Sequence, residues 1–177
     1  MKNFLFQNSF WVKRKRPRIK IGLTFFDLIL EIAGVVAVLT MWIILAVTYS
    51  GLPDVIPIHY SGSGQIDNFG EKSSILKLSV ISTVLFAGMT ILSRFPKIFN
   101  YPVRITENNA FLQYGNMARM IRCLKLTIVL LFGYSVFYTI LYSGENVKGL
   151  GIWFMPVSLA IIFIPVIYFM VKSFMYR

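Results

Sequence analysis

The stretch IAGVVAVLTMWIILAVTYSGLP, residues 32–53, contains no charged side chain. A helix needs about 20 apolar residues to cross the roughly 30 Å hydrocarbon core of a bilayer, so this run is long enough to span one. Further uncharged runs follow at residues 78–93, 126–144 and 149–171. The chain is 56% hydrophobic, above the roughly 45–50% of soluble domains. These features indicate an integral membrane protein.

The uncharged runs predict four transmembrane helices. Backbone polar groups cannot remain unpaired in lipid, so isolated spanning segments form helices. The second run is short, and it reaches spanning length if Lys77 extends its ammonium group into the headgroup region. We therefore predict an all-α integral membrane protein with helices at about residues 24–50, 74–94, 124–143 and 151–172.

The formal net charge of +11 raises the question of nucleic-acid binding, but the positions of the charges argue against it. Of the 18 Lys and Arg residues, all except Lys72, Lys77 and Lys148 lie on one side of the predicted spans. Cytoplasmic segments carry the excess of Lys and Arg, so we predict cytoplasmic N- and C-termini and an extracellular loop at residues 52–73. The basic residues flank spans instead of alternating with aromatic residues along a groove, so no nucleic-acid partner is expected.

The predicted spans divide the chain into four parts. Residues 1–23 form a basic, aromatic cytoplasmic tail that mainly fixes the topology and, in a second interpretation, also binds an anionic inner leaflet. Residues 24–94 form a helix pair with its outer loop, and residues 124–173 form a second helix pair. Between them, residues 95–123 form a cytoplasmic amphipathic segment, whose helix begins at an N-cap Thr106 and leads into the third span.

The outer loop, with the sequence LPDVIPIHYSGSGQIDNFGEK at residues 52–72, contains the only His of the chain. Its first part has β character, and its DNFG sequence at residues 67–70 is typical of a turn. We predict a hydrogen bond between His59 and Asp67 that braces the loop; a pH-sensitive contact is the second interpretation. One His among carboxylates is a poor zinc signature, and the sequence has no motif of nucleophilic or phosphate chemistry. We therefore predict no metal, no cofactor and no catalytic residue.

Glu31 is the candidate functional group inside the membrane. It lies about two turns inside the first span and shares a helix face with Asp27. A charge at that depth is costly unless it meets a cation or water. The basic partners expected on the same side are Arg94, Lys97, Arg122 and Lys125. We favour a structural ion pair at the inner membrane edge, and a proton or substrate relay remains the alternative.

The outer loop resembles a bacterial domain of unknown function. The resemblance rests on Leu52-Pro53, Ile56-Pro57-x-His59, Gly64, Asp67 and Gly70-x-Lys72. That domain forms the N-terminal module of the sporulation-delaying-protein immunity family. The sequence FNYPVRITENNAFLQY, residues 99–114, is similar to the inner segment of such proteins. The resemblance implies a bacterial plasma-membrane protein that protects its host from a secreted toxic peptide or relays the presence of that peptide.

We therefore predict that the outer loop binds a ligand or partner. The candidate residues are Pro53, Asp54, Pro57, His59, Gly64, Asp67, Gly70 and Lys72. The leading hypothesis is a non-enzymatic immunity protein or receptor for a secreted peptide. One alternative is a structural subunit that contacts another membrane protein. The other is a small-solute transporter that uses Glu31 and a fourth span interrupted at Pro156 and Pro165.

Overall fold

A computed structural model describes residues 16–143 and 149–177, and this part of the chain is mostly helical. The long helices are α1 at Phe25–Thr48, α2 at Ser73–Leu92, α3 at Ala110–Leu141 and α4 at Phe154–Met175. Two strands, β1 at Val55–Tyr60 and β2 at Ile66–Glu71, lie between α1 and α2. Short 3-10 turns occupy Tyr49–Gly51 and Pro96–Ile98. All four helices are long and apolar enough to cross a membrane, so the chain is a multi-pass membrane protein, as predicted.

The helix α3 is central to the bundle. It packs against α1, α2 and α4, whereas α1 and α2 contact each other only slightly. The start of α3 lies beside the end of α4, because the Gln113 side chain donates a hydrogen bond to the carbonyl of Ser173. We call this side of the bundle the terminal end (residues 16–23, 93–109 and 173–177) and the opposite side the hairpin end (residues 49–72 and 149–153). Most of the predicted tail, residues 1–15, lies outside the described residues.

The predicted amphipathic segment and the third span are parts of one continuous helix, without a break near residue 123. The helix α3 has 32 residues, or about 48 Å at 1.5 Å per residue, which exceeds the bilayer core. The prediction of Thr106 as the N-cap is wrong, because α3 begins at Ala110 and its N-cap is Asn109. Thr106 instead closes the turn before the helix: its hydroxyl accepts a hydrogen bond from the Asn109 N–H, while Asn109 Oδ1 accepts one from the Thr106 N–H.

The outer loop contains a two-stranded antiparallel hairpin, so the all-α prediction is corrected to a mostly helical fold with a β-hairpin. The predicted turn at residues 67–70 is instead part of β2. Phe69 pairs with Pro57 and Gly70 pairs with Ile56. The register is irregular on both sides of His59, although the two strands are equally long at six residues each. The turn lies earlier, at residues 61–65, where the Ser61 N–H donates to the Gln65 carbonyl over 2.8 Å.

The hairpin is anchored to the helices by an apolar core. Ile56 of β1 is fully buried together with Leu45 of α1, Ile75 of α2 and Val136 of α3. Met41 and Leu52 complete this cluster. Because burial of a large aliphatic side chain contributes roughly 1.5–3 kcal/mol, we infer that the hairpin is a stable part of the fold.

The terminal end is held by a buried hydrogen-bond network centred on Gln113, which has no exposed surface. Its Nε2 donates to the carbonyls of Ser173 and Tyr176 over 2.7 and 3.2 Å, and the Ser173 hydroxyl donates to its Oε1. The last carbonyls of a helix have no partner within the helix. Gln113 therefore caps the end of α4 from α3.

We expect Gln113→Leu to destabilise the protein by about 2 kcal/mol, the cost of leaving buried polar groups unpaired. The measurement is thermal unfolding of the detergent-purified protein. Gln65→Leu, at an exposed position in the hairpin turn, is the control and should unfold like the original protein. Equal stability of Gln113→Leu and the original protein would contradict the capping role.

Candidate functional site at the hairpin end

Two side-chain pairs connect the two sides of the hairpin. His59 Nδ1 lies 2.6 Å from Asp67 Oδ1, so the predicted hydrogen bond between these residues is present. Lys72 Nζ lies 2.9 Å from Asp54 Oδ1, and the Lys72 N–H donates to the Asp54 carbonyl over 3.0 Å. The hydrogen bond that Lys72 donates to Asp54 raises the pKa of Lys72 above its ordinary value. Four of the predicted site residues therefore pair across the hairpin, two at its base and two next to its turn.

Glycines bring the hairpin tip against the connection between α3 and α4. Gly64 has φ of 76°, and a Cβ atom there would lie 2.2 Å from the Gly151 carbonyl oxygen. A Cβ on Gly149 would lie equally close to the Gly64 carbonyl oxygen. Side chains other than hydrogen do not fit between backbones at this distance. Gly64 therefore has a structural role in joining the two loops.

Tyr60 attaches the end of β1 to α3. Its hydroxyl lies 3.0 Å from the Thr139 hydroxyl, and burial raises the pKa of Tyr60 above its ordinary value. A buried tyrosine hydroxyl ordinarily has a hydrogen-bond partner, and here that partner lies on the helix that contacts all the others. This contact sets the position of β1 relative to α3.

A groove of about 360 Å³ lies between β1 and the helices. One side is formed by consecutive residues 56–61 of β1 and the turn after it. The other sides come from the first part of α2, the last part of α3 and the start of α4. We call it the hairpin groove; its lining includes Ile58, His59, Lys77, Ile81, Thr139 and Phe154.

The hairpin groove includes only two of the predicted site residues, Pro57 and His59. The other six do not line it; they are Pro53, Asp54, Gly64, Asp67, Gly70 and Lys72. Gly70 has a packing role, since a Cβ atom there would lie 2.7 Å from Ile58 Cδ1. Sequence reasoning missed the groove residues of α2, α3 and α4, because no local motif connects segments so far apart in the chain. Among the described residues, no group of three or more His, Cys, Asp or Glu side chains is placed to hold a metal ion.

A cluster of charged side chains lies between α1 and α3 in the half of the bundle near the terminal end. Arg119 Nε is 3.0 Å from Asp27 Oδ1, and Arg122 Nε is 3.1 Å from Glu31 Oε1. Lys125 Nζ contacts Glu31 Oε2. The two helices run in the same direction, so the acidic and basic residues pair in the same order along them. We call these five residues the charge cluster.

Asp27, Arg122 and Lys125 of the charge cluster are buried, whereas Arg119 and Glu31 stay partly exposed. Lys125 has no exposed surface, and its ammonium group also donates to Thr90 Oγ1 over 2.8 Å and lies 4.6 Å from the Phe86 ring centroid. Glu31 is paired with Lys125 and Arg122, two of its four predicted partners. Arg94 and Lys97, the other two, line cavities at the terminal end instead.

The fold therefore defines a four-helix membrane protein with a hairpin docked on one end and a charge cluster near the other. Residues 36–83 match a domain of unknown function (DUF1648), a range that contains the whole hairpin. An uncharacterized protein of Archaeoglobus fulgidus is 27% identical over an alignment that covers 39% of this chain and 42% of that relative. The chain thus spans less than half the length of this relative. No solved structure matches.

Proposed function

We propose that the protein is a non-enzymatic receptor or immunity protein of the bacterial plasma membrane that binds an extended secreted peptide in the hairpin groove. The observation that carries this proposal is the continuous stretch of residues 56–60 of β1, followed by Ser61, along one side of the groove. Within the described residues β1 pairs only with β2, so its second edge has no strand partner. An extended peptide adds to such an edge through main-chain hydrogen bonds, while neighbouring pockets select its side chains.

The chemistry of the groove supports a peptide with apolar side chains and a carboxylate. Its lining is mainly apolar, and its volume falls at the lower end of the roughly 300–1,000 Å³ of ligand pockets. Lys77 is exposed at the groove and has no ion-pair partner among the described residues. Its ammonium group is placed to attract an acidic side chain or a peptide C-terminus.

The distribution of basic residues supports an outward-facing groove. Outside the charge cluster, eight of the described basic residues lie at or next to the terminal end. Two described basic residues, Lys72 and Lys77, lie at or next to the hairpin end. By the positive-inside rule the terminal end is cytoplasmic, and the hairpin groove faces the side from which a secreted peptide arrives.

The ion pairs of Glu31 favour a structural role for that residue over transport.

We expect a photo-crosslinking amino acid at Ile58 to capture a secreted peptide in producing cells, because this half-exposed residue lines the groove. The same amino acid at Phe69, on β2 and outside the groove, is the control and should not capture it. Mass spectrometry identifies the captured species. Capture of one membrane protein from both positions would favour the structural-subunit alternative, and crosslinks confined to this chain would contradict peptide binding.

A synthetic copy of the captured peptide then tests the groove directly. We expect Ile81→Trp to weaken binding to the purified protein about tenfold or more, equivalent to at least about 1.4 kcal/mol, because Ile81 lines the groove. Val80→Trp is the matched control, since Val80 is similarly exposed on the same helix but lies outside the groove. Equal binding by both variants would place the peptide elsewhere.

A further inference from the structure

Two adjoining cavities lie at the terminal end, with volumes of about 640 and 420 Å³. Their linings share Lys20 and Arg94, so we treat them as one site and call it the basic cavity. Its basic side chains are Arg18, Lys20, Arg94, Lys97 and Arg122. This site lies at the opposite end of the bundle from the hairpin groove, so a ligand there is independent of peptide binding.

The segment before α1 is what assembles the basic cavity. The Tyr114 hydroxyl donates a hydrogen bond to the Pro17 carbonyl over 3.1 Å, and Arg16 Nη1 donates to the Lys97 carbonyl over 2.7 Å. The Arg16 guanidinium also lies 5.5 Å from the Tyr101 ring centroid. These contacts fix the chain at residues 16 and 17, and the next residues then line the cavities beside the segment after α2.

Most of the positive charge of the basic cavity is unbalanced within the described part of the chain. Among the described residues that line the cavity, Glu31 is the only acidic one, and it is already paired with Arg122 and Lys125. Within the described residues, no ion pair involves the side chains of Arg18, Lys20, Arg94 or Lys97. Like charges held together repel, and a bound anion relieves that repulsion. The cavity therefore has the charge of an anion site.

Arg122 independently indicates a ligand in the basic cavity. It is 5% exposed and lines the larger cavity, and its Nη1 atom makes no hydrogen bond to any described group. That atom lies 3.2 Å from Asp27 Oδ1 as part of an ion pair, but without the geometry of a hydrogen bond. A buried guanidinium N–H without an acceptor is costly. A ligand oxygen would satisfy it.

The depth of the site indicates a lipid headgroup. Along the axis of α3, Arg122 lies about 28 Å from the last residue of the helix, at 1.5 Å per residue. This distance is close to the roughly 30 Å thickness of the hydrocarbon core. Ser93 and Thr90 add hydroxyl groups, while Ile19 and Ile21 add apolar surface to the same cavity. We propose that the basic cavity binds the phosphate of an anionic phospholipid, with its basic side chains around the phosphate and its apolar residues against the glycerol and acyl chains.

The test uses the full chain purified in a neutral detergent. Native mass spectrometry measures which lipids the protein retains, and thermal unfolding measures how much each lipid stabilises it. Phosphatidylglycerol is the probe, phosphatidylcholine is the zwitterionic comparison, and inorganic phosphate tests for a free anion. We expect retention and stabilisation by phosphatidylglycerol, weaker effects of phosphatidylcholine and none from millimolar phosphate. Stabilisation by inorganic phosphate equal to that by the lipid would overturn the assignment to a phospholipid.

We expect the variant Lys20→Gln/Arg94→Gln to weaken phosphatidylglycerol binding roughly tenfold, because it removes two basic side chains that attract the anionic headgroup. The control Arg104→Gln/Arg177→Gln removes the same charge from exposed positions of the terminal end that lie outside the cavity and should change binding less than about twofold. Arg122 is left intact because its loss would disturb the charge cluster. Equal weakening by both double variants would show nonspecific charge attraction and would overturn the proposal.

Discussion

Glu31→Gln is expected to destabilise the protein by roughly 3 kcal/mol, the largest effect we predict for a single charge. Removing one partner of a buried ion pair typically costs about 3–5 kcal/mol, because the remaining charge is left without compensation. Here both Lys125, with no exposed surface, and Arg122, 5% exposed, would lose a carboxylate. We expect the lower end of the range because the Glu31 side chain keeps 22% of its exposure.

The measurement is thermal unfolding in a neutral detergent, where about 3 kcal/mol corresponds to a fall of roughly 6–12 °C in Tm for a chain of this size. Glu31→Gln/Lys125→Met removes both charges of the pair and should recover much of the lost stability. Asp54→Asn removes an acid from an exposed pair on the hairpin and should leave Tm almost unchanged. An unchanged Tm for Glu31→Gln would show that the cluster does not stabilise the bundle.

Gly64→Ala is expected to separate the hairpin tip from the connection between α3 and α4. The residue has positive φ, where a Cβ atom costs about 1–2 kcal/mol. The added methyl group would also lie 2.2 Å from the Gly151 carbonyl oxygen. The backbone cannot yield as a flexible side chain can, so one of the two loops has to move. We therefore expect a loss of at least about 1–2 kcal/mol together with local opening.

Hydrogen–deuterium exchange distinguishes local opening from general destabilisation. Peptides that cover residues 61–65 and 149–153 should exchange faster in Gly64→Ala, while the middle turns of α1 and α3 remain protected. Gly62→Ala is the matched control in the same turn, because a Cβ atom there meets no atom within 4 Å and its φ is not positive. Identical exchange in the two variants would contradict the contact between the loops.

The sequence alone was sufficient for the four spans, because length and the absence of charge are the physical requirements for crossing a bilayer. It also predicted the hydrogen bond between His59 and Asp67, and it gave four candidate partners for Glu31, of which Arg122 and Lys125 are the observed ones. The candidates for Glu31 were few, since a charge inside the membrane is costly unless it meets a cation or water. The basic residues likewise predict an orientation, which stays a prediction.

The formation of the second strand and of the hairpin groove depends on tertiary contacts. The DNFG sequence at residues 67–70 has turn chemistry, yet it pairs with β1 because Ile56 is buried among helices and holds β1 in place. Strand formation depends on the partner and on burial more than on local preference. The pairing of Asp27 with Arg119 and the assembly of the basic cavity likewise required the packing of α1 and the preceding segment against α3. Local sequence determines which segments enter the membrane, whereas contacts between distant segments determine which side chains meet, because those contacts depend on how the helices pack.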